Sequence, residues 1–174
     1  MKAKSTGEEA ARAGGADISF GSYRKGSPTP ELSFTMSLVL AARRWRSLLD
    51  ERLRPINQSA ARMEAMAAIM NSPPLSPQVD IARRLRIEGP TLTRMLDSLE
   101  KDGLVERLPD PNDRRTKLLR LTQEGEAVLR EVFVIAEDLR FRLLDGFSST
   151  QKAQATEFCN ELVRRLDGGL AGAE

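Results

Sequence analysis

Residues 87–122 read IEGPTLTRMLDSLEKDGLVERLPDPNDRRTKLLRLT, and this stretch decides the fold. Pro90 suits the first turn of a helix, where its missing N–H is not needed and its φ is already helical. Leu92, Met95, Leu96 and Leu99 follow at i, i+3, i+4 and i+7, which makes one apolar stripe. Gly103 is placed to end the helix, because glycine takes the left-handed position after a C-cap without strain. Thr91, Arg94, Asp97 and Ser98 occupy the opposite face. Two short extended runs, 104–108 and 117–121, flank PDPNDRRT, whose prolines, Asn112 and Asp113 are turn formers. Arg114, Arg115 and Lys117 cluster at the hairpin tip. A helix with one polar face, followed by a two-stranded wing with a basic tip, matches duplex DNA: the helix fits the major groove and the tip reaches the adjacent minor groove.

Arg94 tests that reading by magnitude. Pairing with Asp97 or Ser98 on its own helix is worth only ~0.2–0.5 kcal/mol. A bidentate contact to a guanine edge is worth ~1–3 kcal/mol of discrimination, so the groove-facing role carries more weight.

Working back toward the N-terminus, Ser76 is placed as an N-cap with Pro77 at the first helical position. The helix so opened holds Val79, Ile81, Ala82 and Leu85 on one side and Arg83, Arg84 and Arg86 on the other. A tight turn joins it to the helix at Pro90, which makes a helix-turn-helix. Ser76 and Thr93 join the expected DNA-contacting set. Before this unit, residues 58–70 carry Met63, Met66, Ile69 and Met70 at helical spacing. Residues 32–54 form an earlier helix in which Leu38, Ala41, Trp45, Leu48, Leu49 and Arg52 recur every three or four positions before Pro55. Arg43, Arg44 and Arg46 surround Trp45, and two readings of them stay open. They serve interhelical packing and ion pairs, or Arg43 and Arg46 supply a cation, with Trp45, Met63 and Met66 as apolar wall, to a small-molecule effector. Residues 1–30 lack a sustained apolar period and read as a disordered tail.

Beyond the hairpin, Thr122 can cap a long helix whose first turn holds Glu124 and Glu126, acids well placed for the helix dipole. Val128, Val132, Ile135, Leu139 and Leu143 run along it, and GFSS breaks it near Gly146. A last helix, about 150–166, carries Phe158, Leu162, Val163 and Leu166. The apolar stripes at both ends of the chain need a partner, and a second copy is the simplest one. The expected organisation is a mainly α fold. A tail spans 1–30, a helical dimerisation region 31–57 and 122–170, and a winged helix-turn-helix 58–121.

Composition narrows the function. The chain has 174 residues and a net charge of +2, so a nucleic-acid surface must be a local concentration of basic residues. Histidine is absent, which removes His-based acid–base catalysis and the commonest zinc ligand. With no Gly-rich nucleotide loop either, the expectation is a non-enzyme without metal or cofactor. No apolar run approaches the roughly 18 residues of a membrane span, and no secretory signal opens the chain. The single Cys159 suits a reducing cytoplasm. Glu157 and Glu161 flank it and no basic residue lies close in sequence, so a buried, inert thiol is expected rather than a redox switch.

At this point the sequence resembles the MarR family of bacterial transcription regulators, in its SlyA-like branch. IEGPTLTRMLDSLEKDGLVERL, Asp113-Arg114-Arg115, Leu121-Thr122 and the following Gly125 carry the resemblance, and RRWRSLLDERLRP in the first helix is similar to the SlyA-type dimerisation helix. It covers residues 32–166 and implies a winged helix-turn-helix homodimer on a double-stranded, imperfectly palindromic DNA operator, most often as a repressor. By that resemblance Pro90, Thr91 and Arg94 sit at the major-groove edge, and Arg115 enters the minor groove with its guanidinium held by Asp113. A small aromatic or phenolic effector is implied between the dimerisation helices and the DNA-binding lobe. Met63 stands where SlyA-like members tend to carry an aromatic residue. The alternatives are a cysteine-based redox regulator and a winged-helix protein-interaction module that does not bind DNA.

Overall fold

Thr29 opens the first long helix: its hydroxyl accepts from the Leu32 N–H at 3.4 Å, and Pro30 stands at the first helical position. A computed structural model describes residue 18, residues 20–113 and residues 115–169. Helix α1 (Pro30–Leu53) passes through a 3₁₀ turn (Arg54–Ile56) into α2 (Ala60–Met70), capped by Ser59. Strand β1 (Ser76–Pro77) leads to α3 (Gln78–Leu85) and α4 (Gly89–Lys101). The wing strands β2 (Val105–Pro109) and β3 (Lys117–Leu121) are followed by α5 (Gln123–Leu143) and α6 (Ser149–Asp167). The mainly helical fold with its winged helix-turn-helix is therefore as expected, and the strands form one antiparallel sheet in the order β1-β3-β2.

Two boundaries and one burial differ from the sequence reading. The tail reading falls largely outside the described residues, since 1–17 lie beyond them, but residues 20–24 are helical rather than irregular. Ser76 is not a helix cap. It pairs with Leu119 in the sheet, it is buried, and its hydroxyl donates to the Pro73 carbonyl at 2.7 Å. The helix after it begins at Gln78 with no side-chain cap, because the N-cap position falls on Pro77, whose side chain carries no acceptor. Val79, grouped with Ile81, Ala82 and Leu85 opposite the arginines, is 60% exposed.

The main core lies inside the winged unit. Met66 and Ile69 of α2, Ile81 of α3, Leu92, Leu96 and Leu99 of α4, Leu119 of β3 and Leu129 of α5 pack together, each nearly or fully buried. The stripe read at Leu92, Leu96 and Leu99 is thus the side of α4 that is turned inward, which leaves its opposite side outward. A smaller cluster joins α1 to α5 through Leu49, Ala60, Ala136 and Leu139, with Trp45 half-buried against it. Met63 packs against both clusters.

The end of α4 is set by its chain geometry. Gly103 has φ +70°, the Leu104 N–H bonds to the Leu99 carbonyl at 2.9 Å, and the Gly103 N–H bonds to the Glu100 carbonyl at 3.0 Å. This is a Schellman motif, and the buried Leu99 and Leu104 complete it. Thr122 then ties the wing to α5. Its hydroxyl donates to the Gly103 carbonyl at 2.7 Å and accepts from the Gly125 N–H at 2.9 Å. Arg86, at the end of α3, pairs with Asp167, at the end of α6, and Phe34 of α1 meets Phe158 of α6 edge to face at 5.2 Å. Among the described residues no helix is long and apolar enough to cross a membrane.

Candidate nucleic-acid interface

The outward side of α4 begins with Pro90, Thr91 and Arg94, all exposed. Arg94 makes no ion pair among the described residues. Its two sequence neighbours on the helix are already taken: Asp97 accepts from Arg107 of β2 at 2.6 Å, and Ser98 accepts from Arg62 of α2 at 2.6 Å. The intrahelical pairing considered for Arg94 therefore does not form. Thr93 lies on the flank, partly buried. Its hydroxyl accepts from the Gln78 side-chain amide at 2.8 Å and donates to the Gly89 carbonyl at 3.0 Å, so it links α3 to the first turn of α4.

Across from this helix stands the wing. Asp110 and Asp113 shape its tip: Asp110 accepts from the Asn112 N–H at 2.7 Å, and Asp113 accepts from the Arg115 N–H at 3.0 Å and the Thr116 hydroxyl at 2.8 Å. These bonds to the charged form hold the Asp113 carboxyl below its ordinary value, the Arg115 N–H first and the Thr116 hydroxyl second. Asp113 is thus braced against the backbone of Arg115 and not, as the resemblance implied, against its guanidinium. A two-residue reach favours the N–H, which closes a small side-chain turn. Arg115 and Lys117 are exposed and make no ion pair among the described residues, while Arg114 lies outside them.

Between helix and wing runs a cleft of about 620 Å³, whose lining includes Gln78, Arg83, Thr93, Arg107, Arg115 and Lys117. Of its four cations Arg83 is paired with Asp80 and Arg107 with Asp97 and Glu100, so among the described residues Arg115 and Lys117 are the ones left to meet an anionic backbone. Sequence reasoning passed over Gln78 and Arg107. The period of β2 marks Arg107 only as an alternating strand residue, and its partners on α4 come beside it only when the wing folds back.

The remaining expected residues divide. Ser76, placed with the DNA-contacting set, is buried in the sheet and directed at Pro73, so its hydroxyl has no path to a groove. Of the effector set, Met66 is fully buried in the main core, Met63 packs between the two clusters and Trp45 packs against the smaller one. Arg46 pairs with Glu64 of α2 at 2.9 Å, a half-exposed pair worth about 0–1 kcal/mol. Arg43 alone faces open space, in an apolar groove with Met36, Val39 and Leu40 on α1. The five residues do not converge, because Arg43 and Trp45 are two positions apart on α1, about half a turn, and so point to opposite sides of the helix. Cys159, expected buried, is exposed: no residue of α6 is buried in the single chain.

Comparison with known proteins agrees with this architecture. The MarR family matches residues 59–117, from the start of α2 to the first residue of β3. The structure of transcriptional regulator PA3341 is 31% identical, with TM-score 0.69, over 78% of this chain and 98% of that one. A mutant of MarR from E. coli complexed with operator DNA is 27% identical, with TM-score 0.69, over 75% of this chain and 93% of that one. BldR from Sulfolobus solfataricus, 24% identical over 78% of this chain and 95% of that one, shares the fold with TM-score 0.70. With the family matched over 59–117 and a 31% identical regulator covered over 98% of its length, the chain belongs to the MarR family of transcriptional regulators.

Proposed function

We propose that this regulator binds a palindromic DNA operator as a homodimer, with α4 in the major groove and the wing tip in the minor groove. The observation that carries the reading is that Arg94 on α4 and Arg115 and Lys117 on the wing beside it stand exposed and without ion pairs among the described residues. A cation spent on a neighbouring carboxylate cannot neutralise a phosphate, whereas these three remain available. The solved complex of the E. coli MarR mutant with operator DNA supports the same use of this fold. Titration of a duplex selected from a random-sequence library should show binding that falls steeply with salt. Affinity independent of salt, or no recovered duplex, sinks the proposal and leaves the protein-interaction reading.

The dimer rests on uncovered apolar surface. Phe34, Leu38 and Leu40 of α1, Phe141 of α5, and Phe158 and Leu166 of α6 are all exposed in the single chain. So much apolar surface at both chain ends calls for cover, and two copies would set the recognition helices about one DNA turn apart. Sedimentation at micromolar concentration as a folded 19.3 kDa monomer would contradict this.

Control is proposed to act on that spacing: the protein represses, and a small aromatic or phenolic acid or thioester releases it. Arg43 beside Met36, Val39 and Leu40 offers such a ligand a cation and an apolar wall. The ligand must favour one helix spacing over the other to act at all. Thermal-shift screening of aromatic acids, then Arg43→Ala, tests it: a ligand response unchanged by that substitution moves the seat elsewhere. The SlyA-like placement is a reading of the motifs in 87–122 together with RRWRSLLDERLRP at residues 43–55. The exposure of Cys159 favours one second reading, release by oxidation. Oxidant-induced release that vanishes in Cys159→Ser would establish it.

A further inference from the structure

Helix α4 is gripped along both edges by arginines from neighbouring elements. On one edge Arg62 of α2, only 12% exposed, donates to Gln58 at 2.9 Å, Ser98 at 2.6 Å and Asp102 at 2.7 Å. On the other edge Arg107 of β2, 20% exposed, places its Nη2 2.6 Å from an Asp97 oxygen and its Nε 2.9 Å from a Glu100 oxygen. Asp97 follows Arg94 by three residues and Pro90 by seven, so its carboxylate lies on the same outward strip of the helix. Glu100 is one turn further along the flank.

We propose that Arg107 is a positioning residue for DNA reading: it locks α4 against the wing and neutralises Asp97 and Glu100 beside the strip that carries Pro90 and Arg94. This rests on the DNA-binding reading above. The geometry argues against a direct phosphate role. Two carboxylates already occupy the Nε and Nη2 edge of Arg107, so the three groups together are net negative and offer DNA no spare cation. Removing the guanidinium leaves two unmatched carboxylates next to a polyanion and frees α4 to rotate away from the wing. The bonds to Arg107 hold the Glu100 carboxyl below its ordinary range, in keeping with the ion pair the geometry shows.

The test is a double-mutant cycle on the full chain. Wild type, R107M, D97N/E100Q and the combined variant are titrated against a duplex recovered by wild type from a random-sequence library, across a range of salt. We expect R107M to lower affinity about tenfold in the wild-type background and less than twofold in the D97N/E100Q background, because the link is already broken there. Amides 97–102 of the free R107M protein should exchange faster than in wild type. Equal losses in both backgrounds, with the slope of log K against log salt falling by about one, would make Arg107 a phosphate contact and overturn the proposal. Unchanged exchange would remove the locking role. Failure of wild type to recover any duplex sinks the DNA-binding reading instead, and the exchange measurement still decides whether Arg107 holds α4.

Discussion

Gly125 offers the sharpest test of how wing and dimerisation helix are joined. It is the third residue of α5, where sequence propensity alone favours alanine by roughly 1 kcal/mol. A Cβ built there would lie 2.0 Å from the Leu104 carbonyl oxygen, 2.9 Å from its carbon and 3.3 Å from its Cα. All three are backbone atoms of the buried residue that closes the Schellman motif of α4, so no flexible side chain can swing aside. The same carbonyl accepts the Thr122 N–H at 3.1 Å. Relief demands a backbone shift of about 1 Å in a close-packed junction. Overpacking of that kind costs ~1–3 kcal/mol, and loss of the Thr122 bond adds ~0.5–1.5 kcal/mol. Set against the propensity gain, Gly125→Ala should destabilise by about 2 kcal/mol and lower Tm by about 4–8 °C for a chain of this size. Thermal and urea unfolding at matched protein concentration measure it, with Gly89→Ala as control, since a Cβ there meets nothing within 4 Å. A Tm for Gly125→Ala equal to or above wild type, with Gly89→Ala unchanged, would refute the reasoning.

Three further outcomes follow from the same contacts. Arg115→Ala should weaken binding to the selected duplex by about 1–3 kcal/mol and leave the dimer intact; unchanged affinity at matched salt counts against it. The wing-tip turn at Asp113 should persist as pH falls past 3.8, because its folded carboxyl titrates below that ordinary value. It should be lost only at lower pH, and an Arg115 amide shift with a midpoint at or above 3.8 would contradict this. Met66→Ala should destabilise the fold by ~2–5 kcal/mol through a core cavity, with the effector response of the folded protein kept; a stable variant that lost that response would return Met66 to the ligand site.

Much of this fold was legible along the chain because its signals are local. The stripe at Leu92, Leu96 and Leu99, the stop at Gly103 and the Thr122 cap each depend on residues within a turn of one another, and each is found where the spacing predicts it. Strand β1 was not legible: two residues, one a proline, show no period, and Ser76 mimics a helix cap until Leu119 is brought beside it. The effector set failed for a related reason. Arg43, Trp45, Arg46, Met63 and Met66 look like neighbours by composition, but helix rotation and packing send them to a groove, a core and a surface ion pair.

The primary structure therefore settles which segments become helices and wing, and where the basic side chains of the proposed reading face lie along the chain, since periodicity, caps and turns act over a few residues. Only the tertiary structure decides which cations are spent and which remain. Arg107 and Arg62 are committed to Asp97, Glu100, Ser98 and Asp102 by contacts 7 to 40 positions away in the chain. Arg94, Arg115 and Lys117 are left for a partner. Charge pairing falls off over a few ångströms, so it obeys distance in space, which the order of residues does not state.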